Sequence, residues 1–230
     1  MFPVELDVTN RESIKVAVTA VVERFGQIDV LLNNAGYGLN GPLEGASNAQ
    51  MRRQFDVNVF GLIDVTKAVL PAMRARRDGL ILNVSSIGGL IGMPISPLYI
   101  ATKHAVEGLT ESMRLELQPF GIRVKLIEPG GIKTDFIARS SDWTDHPDYA
   151  DHIQAAKAMT DALNDSLANP ADVAKVIFRA ATDPSERLRY LARPGPYVSL
   201  YRLLPDALWR SMIQAALRRQ ARSTGSARAR

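Results

Sequence analysis

The chain has 230 residues, 46% of them hydrophobic, no cysteine and a formal net charge of +4. That length and apolar content fit one domain with a substantial core, while the lack of cysteine excludes disulfides, thiolate metal sites and a cysteine nucleophile and suits a reducing, cytoplasmic setting. No apolar run reaches the roughly 18 to 20 residues of a membrane span, no signal-peptide pattern opens the chain, and the excess charge sits in a terminal run (Arg218, Arg219, Arg222, Arg228, Arg230) without aromatic residues, so nucleic acid is not an expected partner.

In chain order, Val4 to Val8 reads as a short strand, and Thr9-Asn10-Arg11-Glu12 has the form of a capping box opening a helix. Ile14, Val18, Val21, Val22 and Phe25 then recur at helical spacing until Gly26. Ile28 to Leu32 is an unbroken apolar run, the mark of a parallel strand covered on both faces. Ser47 caps a second helix that runs through Phe55, Leu62 and Val69 to the basic end at Arg74, Arg76 and Arg77. Leu80 to Val84 reads as a strand, Ser96-Pro97 as the start of a third helix closed by Pro119 and Gly121, and Val124 to Ile127 as the next strand. Residues 136 to 168 break this alternation. After them Asn169-Pro170 opens a helix over Val173 to Ala181, Leu188 to Leu191 forms a last strand, and Leu203 to Arg219 a terminal amphipathic helix. The economical arrangement is one α/β domain over residues 1–220, a parallel sheet doubly wound with helices, followed by a disordered basic tail over 221–230.

Gly36, Gly38 and Gly41 stand in the G-x-G-x-x-G spacing of a dinucleotide fingerprint, directly behind an apolar strand. The context argues against it. Pro42 follows, and no helix begins until about Ser47, so these amides are not presented at a helix N-terminus. They read as turn glycines at the mouth of a site.

Ligands of such sheets bind beyond the carboxyl ends of the strands, and here those ends are polar or glycine-rich: Asp7-Val8-Thr9, Asn33-Asn34-Ala35-Gly36, Ser85-Ser86 and Pro129 to Thr134. Just beyond, Tyr99 and Lys103 share one helix face. A phenol is a poor acid or base at neutral pH, and an adjacent ammonium moves its pKa toward the working range. A serine-hydrolase reading of Ser86 fails, because Val84 stands where G-x-S-x-G requires glycine. Asp142, Asp145, His146, Asp148, Asp151 and His152 read as a solvated acidic face, with no metal expected.

Asn34-Ala35-Gly36 after one strand, Asn58 in the next helix, Ser86 after the following strand, and Tyr99 with Lys103 together resemble the short-chain dehydrogenase/reductase family. The likeness covers residues 4 to about 135, continues more weakly through Asn169 to Val173, and looks nearest to the branch of 17β-hydroxysteroid and retinol dehydrogenases and their bacterial relatives. It implies a Rossmann-type sheet and an oxidoreductase passing a hydride between NAD(P)(H), NADP(H) slightly favoured, and a ketone, aldehyde or secondary alcohol. Tyr99 would be the general acid/base, Lys103 would lower its pKa and bind the nicotinamide ribose, Ser86 would orient the reacting oxygen, and Asn58 would hold a relay water. Asp7 and Val8 would bracket the adenine, Asn34, Ala35 and Gly36 would line the adenosine side, and Pro129, Gly130, Ile132 and Thr134 would embrace the nicotinamide end.

The resemblance also implies a substrate lid over 136–168. Its Phe136, Ile137, Trp143, Tyr149, Ile153, Met159 and Leu163, with Leu90, Ile91, Met93 and Ile95 near Ser86, suggest an apolar pocket and an apolar substrate. A homo-oligomer is expected by resemblance, and Leu203 to Arg219 has the make-up for weak membrane-surface association, although docking onto the domain is the simpler expectation. One family feature has no counterpart: the phosphate loop T-G-x-x-x-G-x-G occurs nowhere in this sequence. The expectation that follows is a chain lacking the family's first β-α units, in which Ile28 to Leu32 becomes an unpaired edge and cofactor affinity is crippled. The alternative reading is accordingly a truncated, non-catalytic member or a binding protein.

Overall fold

The computed structural model describes residues 1–133, 136, 140–162 and 167–228. Its helices are α1 (Arg11–Phe25), α2 (Asn48–Phe55), α3 (Leu62–Arg76), α4 (Pro97–Leu117), α5 (Ala150–Ala162), α6 (Pro170–Thr182), α7 (Tyr197–Leu203) and α8 (Asp206–Arg228). Its strands are β1 (Val30–Asn33), β2 (Gly38–Asn40), β3 (Gly79–Val84), β4 (Ile122–Pro129), β5 (Ser141–Trp143) and β6 (Arg189–Ala192). The main sheet is parallel throughout, in the order β1-β3-β4-β6. A second ladder pairs β2 with β5.

Both faces of the central strands β3 and β4 are covered, as continuous apolar strands require. Because strand side chains alternate, Ile81, Ile122 and Val124 meet Val69, Met73 and Leu117 on one face. Leu80, Leu82 and Ile127 meet Ala180 and Tyr190 on the other. The same alternation sends Lys125 toward α6 and Glu128 toward α4. β1 is an edge strand with Val30 and Leu32 exposed. Among the described residues no helix is long and apolar enough to cross a membrane.

The doubly wound parallel sheet is as expected, with several local differences. Val4 to Val8 forms no strand: a ladder needs a neighbour to take its amides and carbonyls, and this segment has none in the sheet. Asn10, not Thr9, caps α1, accepting from the amides of Glu12 and Ser13, because Thr9 turns its hydroxyl onto Asp7. The single helix expected from Ser47 to Arg77 is interrupted by a π-turn over Asp56–Gly61. The terminal helix expected from Leu203 begins instead at Asp206, after Pro205, with the unexpected short α7 before it, and α8 runs on through residues 221–228, assigned above to a disordered tail.

Candidate active site

The carboxyl ends of β1, β3 and β4 lie side by side, and α4 crosses them. Ser86 leaves β3 and caps a 3-10 turn over Ile87–Gly89, its Oγ accepting from the Gly88 amide at 3.0 Å. So oriented, the Ser86 hydroxyl lies beside Tyr99: a Cβ at Gly88 would stand 3.5 Å from Ser86 Oγ and 3.5 Å from the Tyr99 ring. One turn along α4, the Lys103 Nζ donates to the Val84 carbonyl at 2.9 Å and lies 5.7 Å from the centre of the Tyr99 ring. The structure therefore brings Ser86, Tyr99 and Lys103 into one cluster.

Its electrostatics are less simple than two neighbours would suggest. Burial pushes the Tyr99 phenol up, and the hydrogen bond from Ser86 pulls it back. Burial also drives Lys103 down to about 8, against the carboxylate of Glu107, which raises it. Burial of both groups thus works against the activation expected from the Tyr99-Lys103 spacing.

Asn58 stands in the π-turn with its side chain fully engaged. Its Nδ2 donates to the Tyr37 carbonyl at 2.9 Å and to Thr102 Oγ1 at 3.0 Å, while its Oδ1 accepts from the Tyr37 amide at 2.7 Å. One turn earlier, Gln54 Nε2 donates to the same Tyr37 carbonyl at 2.8 Å and Oε1 accepts from the Leu39 amide at 2.6 Å. Thr102 in turn donates to the Tyr99 carbonyl at 2.8 Å. Gln54, Asn58 and Thr102 thereby clamp the Tyr37 to Leu39 segment against the first turn of α4. Sequence reasoning missed Gln54; the available signal was a polar pair at i, i+4 on a helix face that must be buried.

The clamp settles the three glycines. The amides of Tyr37, Gly38, Leu39 and Gly41 bond to Asn58 Oδ1, the Ser140 carbonyl, Gln54 Oε1 and the Ile95 carbonyl. None of these four is left for a phosphate. Gly38 belongs to β2, where a Cβ would stand 3.1 Å from the Phe136 ring, and Gly41 turns the chain at φ 109°. Ile95, which accepts from Gly41, is itself held at φ 59°, a costly conformation for a β-branched residue, in the loop between Ser86 and α4.

The remaining positions divide. Asn34 and Ala35 are exposed beyond β1, with Gly36 half-buried beside them. Asp7 is exposed and closes its own turn, accepting from the Thr9 amide and hydroxyl, while Val8 packs on Gly61 of the π-turn. Pro129 is buried, Gly130 donates to the Ala192 carbonyl at 2.9 Å, and Ile132 bridges to Ala168. Thr134 lies outside the described residues, as do Ile137 and Leu163 of the lid, and the side chain of Met159. Phe136 faces Tyr99, ring centres 6.4 Å apart. Ile91 is core, whereas Met93 lines an apolar cleft of about 590 Å³ with Pro97, Ile100, Trp209, Ile213 and Leu217. That cleft lies on the face of α4 turned away from the Tyr99-Lys103 side.

The model of the short chain dehydrogenase family matches residues 1–145. The 3-ketodihydrosphingosine reductase of Bacteroides thetaiotaomicron is 37% identical over 221 residues, 93% of this chain and 80% of the relative. A short-chain dehydrogenase from Streptomyces avermitilis superposes with a TM-score of 0.78 at 30% identity, covering 96% of this chain and 80% of that one. ElxO with NADP bound gives 0.64 at 31% identity, over 82% and 76% of the two chains. With the parallel sheet, the Ser86-Tyr99-Lys103 cluster and these likenesses in agreement, the chain belongs to the short-chain dehydrogenase/reductase family of oxidoreductases.

Proposed function

We propose that this oxidoreductase passes a hydride between NAD(P)(H) and an apolar ketone, aldehyde or secondary alcohol, with Tyr99 as the general acid/base. The observation that carries the reading is the pairing of the Ser86 and Tyr99 side chains beside Gly88, with a buried lysine one helical turn away. A carbonyl oxygen placed between these two hydroxyls would accept from both. In reduction Tyr99 gives its proton to that oxygen as charge develops, and in oxidation it takes the proton from the alcohol. Ser86 holds the oxygen in place.

The residues fit the nicotinamide end of the cofactor. Lys103 is 6% exposed, and apart from its bond to Val84 the ammonium has no hydrogen-bond acceptor among the described residues. Its remaining N–H groups suit ribose hydroxyls, and a positive charge there favours the Tyr99 phenolate. Asn34, Ala35 and Gly36 at the end of β1, and Pro129, Gly130, Ile132 and Thr134 beyond β4, would line the remainder, with Asp7 and Val8 toward the adenine. The bound nicotinamide supplies or accepts the hydride. Since the Asn58 side chain is spent on Tyr37 and Thr102, its part in the proton path falls to its main-chain carbonyl in the π-turn. The NADP bound to ElxO and the 3-keto compound in the Bacteroides relative's name support the cofactor and the ketone. Phe136 over Tyr99 supports an apolar substrate. Exposed Phe60 and Leu115 support self-association, and the cysteine-free composition a cytoplasmic setting.

Fluorescence titration of NADPH and NADH against the chain, followed by turnover of apolar ketones, tests the reading. Weak but saturable binding, in keeping with the missing phosphate loop, with turnover abolished by Tyr99→Phe, is expected. Failure to bind either cofactor would favour a non-catalytic binding role, and turnover retained in Tyr99→Phe would remove Tyr99 from the chemistry.

A further inference from the structure

Beneath the Ser86 turn lies a buried ionic cluster that the reading above does not use. Glu107 is one turn beyond Lys103 on α4 and is 6% exposed; Glu128, the residue before Pro129 on β4, is 0% exposed. Arg189 of β6 donates through one nitrogen to both carboxylates and through another to Glu111. The neutralisation is incomplete. Three carboxylates surround one guanidinium, and Glu107 Oε1, Glu128 Oε2 and the Ser85 hydroxyl are buried without a hydrogen-bond partner among the described residues. A cluster whose only task was to tie α4 to β4 and β6 would gain by satisfying those oxygens, because buried ion pairs repay desolvation only when their hydrogen bonds are complete.

The cluster also touches the site. A Cβ at Gly89 would meet Ser85 Oγ, the Glu107 Cγ and the Lys103 carbonyl, so the turn that carries Ser86 rests directly on Glu107 and on the turn of α4 that holds Lys103. We propose that Glu107 is a positioning residue for the Tyr99-Lys103 pair: its buried carboxylate, braced by Arg189 beneath the Ser86 turn, supplies the negative charge that keeps Lys103 an ammonium. The charged groups facing Glu107 are Lys103 and Glu111 from α4, Glu128 from β4 and Arg189 from β6, with Arg202 of α7 acting on Glu128. Of these, Glu107 is the carboxylate that raises Lys103 against the lowering effect of burial. Without it, Lys103 would lose its proton within the neutral range and with it the influence on Tyr99.

The inference rests on the roles given above to Tyr99 and Lys103, but its first and deciding test needs neither substrate nor cofactor. Lysine side-chain carbons are followed by NMR through a pH titration of the whole chain, with the Lys103 signal assigned by its absence in Lys103→Arg. In Glu107→Gln the Lys103 titration is expected to move down by about one pH unit. In Glu107→Asp, which keeps the charge, it is expected to stay near the parent's. In the oxidation direction, the alkaline fall of kcat/KM should move to lower pH in Glu107→Gln and return in Glu107→Asp. An unmoved Lys103 titration in a folded Glu107→Gln overturns the proposal, whereas activity surviving Tyr99→Phe would instead strike the functional reading. If Glu107→Gln does not fold, Arg189→Met is measured: freed from the guanidinium, Glu107 should raise the Lys103 titration, and no rise overturns the proposal.

Discussion

The fold buries two lysines, and they are used in opposite ways. Lys125, 1% exposed on β4, meets the C-terminal end of α6, where its ammonium donates to the carbonyls of Ala180 and Asp183 and to the Tyr190 hydroxyl. All three of its N–H bonds are matched, and a cation at a helix C-terminus also suits the helix dipole. Lys103, 6% exposed on α4, has the Val84 carbonyl as its one hydrogen-bond partner among the described residues. The difference teaches how to read a buried charge. A lysine whose donors are all matched holds the fold together, and one left under-matched at the carboxyl edge of a parallel sheet has donors to offer the cofactor proposed above.

The largest effect that could break this comparison is on catalysis. Lys103→Met should lower turnover of any accepted ketone by about 10²- to 10⁴-fold, the usual worth of assisted proton transfer, without lowering the midpoint of urea unfolding. A large loss of stability with activity intact would mean that Lys103 is a structural lysine like its counterpart. Lys125→Met should do the reverse. Removing a matched buried charge strands the carbonyls of Ala180 and Asp183, so unfolding free energy should drop by about 3 kcal/mol while kcat/KM per folded molecule stays unchanged.

A smaller effect separates the two lysines by pH. With Lys103 at about 8 in the fold against 10.5 unfolded, the unfolded chain binds more protons between those values, and stability contributed at this site rises with pH across that window. Below pH 8 the fold carries the full cost of burying the ammonium. The stability advantage of Lys103→Met over the parent should therefore narrow by on the order of 1–2 kcal/mol between about pH 8 and 9.5. A gap independent of pH would show that Lys103 is not titrating there.

What the amino-acid sequence made legible, and what it did not, follows the range of the interactions. β1, β3, β4 and α4 could be read because apolar runs, caps and helical spacing are local, whereas Ser86, Tyr99 and Lys103 stand out only through the family resemblance, since a tyrosine and a lysine four apart are by themselves a common pair on a helix face. The clamp was invisible. Nothing in the residues around Asn58 announces a π-turn, and the partners of Gln54 and Asn58 are main-chain groups of another segment. The β2-β5 ladder joins two three-residue strands about a hundred positions apart, too short for any periodicity. Val4 to Val8 shows the converse failure, since a strand pattern is a promise that only a neighbouring strand can keep. Likewise, a lysine's letter does not tell whether its three donors are matched; Lys125 and Lys103 look alike until α6 and the Ser86 turn are in place.

The smallest expected effect tests how completely Lys125 is matched. Tyr190, 0% exposed, accepts from Lys125 and donates to Asp183 Oδ2 at 2.6 Å. That donation, ahead of the bonds from Ser185, holds the Asp183 carboxyl well below the usual carboxylate range. Tyr190→Phe deletes one acceptor of a still largely matched lysine and one donor to an exposed carboxylate, so about 1 kcal/mol should be lost at neutral pH. A carboxylate whose folded pKa is depressed contributes stability above its unfolded pKa and loses it as pH falls. The cost of Tyr190→Phe should accordingly shrink in urea titrations taken below about pH 4. A cost as large as that of Lys125→Met would mean that the hydroxyl, rather than the helix-end carbonyls, secures the lysine, and the division between the two buried charges would then rest on a single bond.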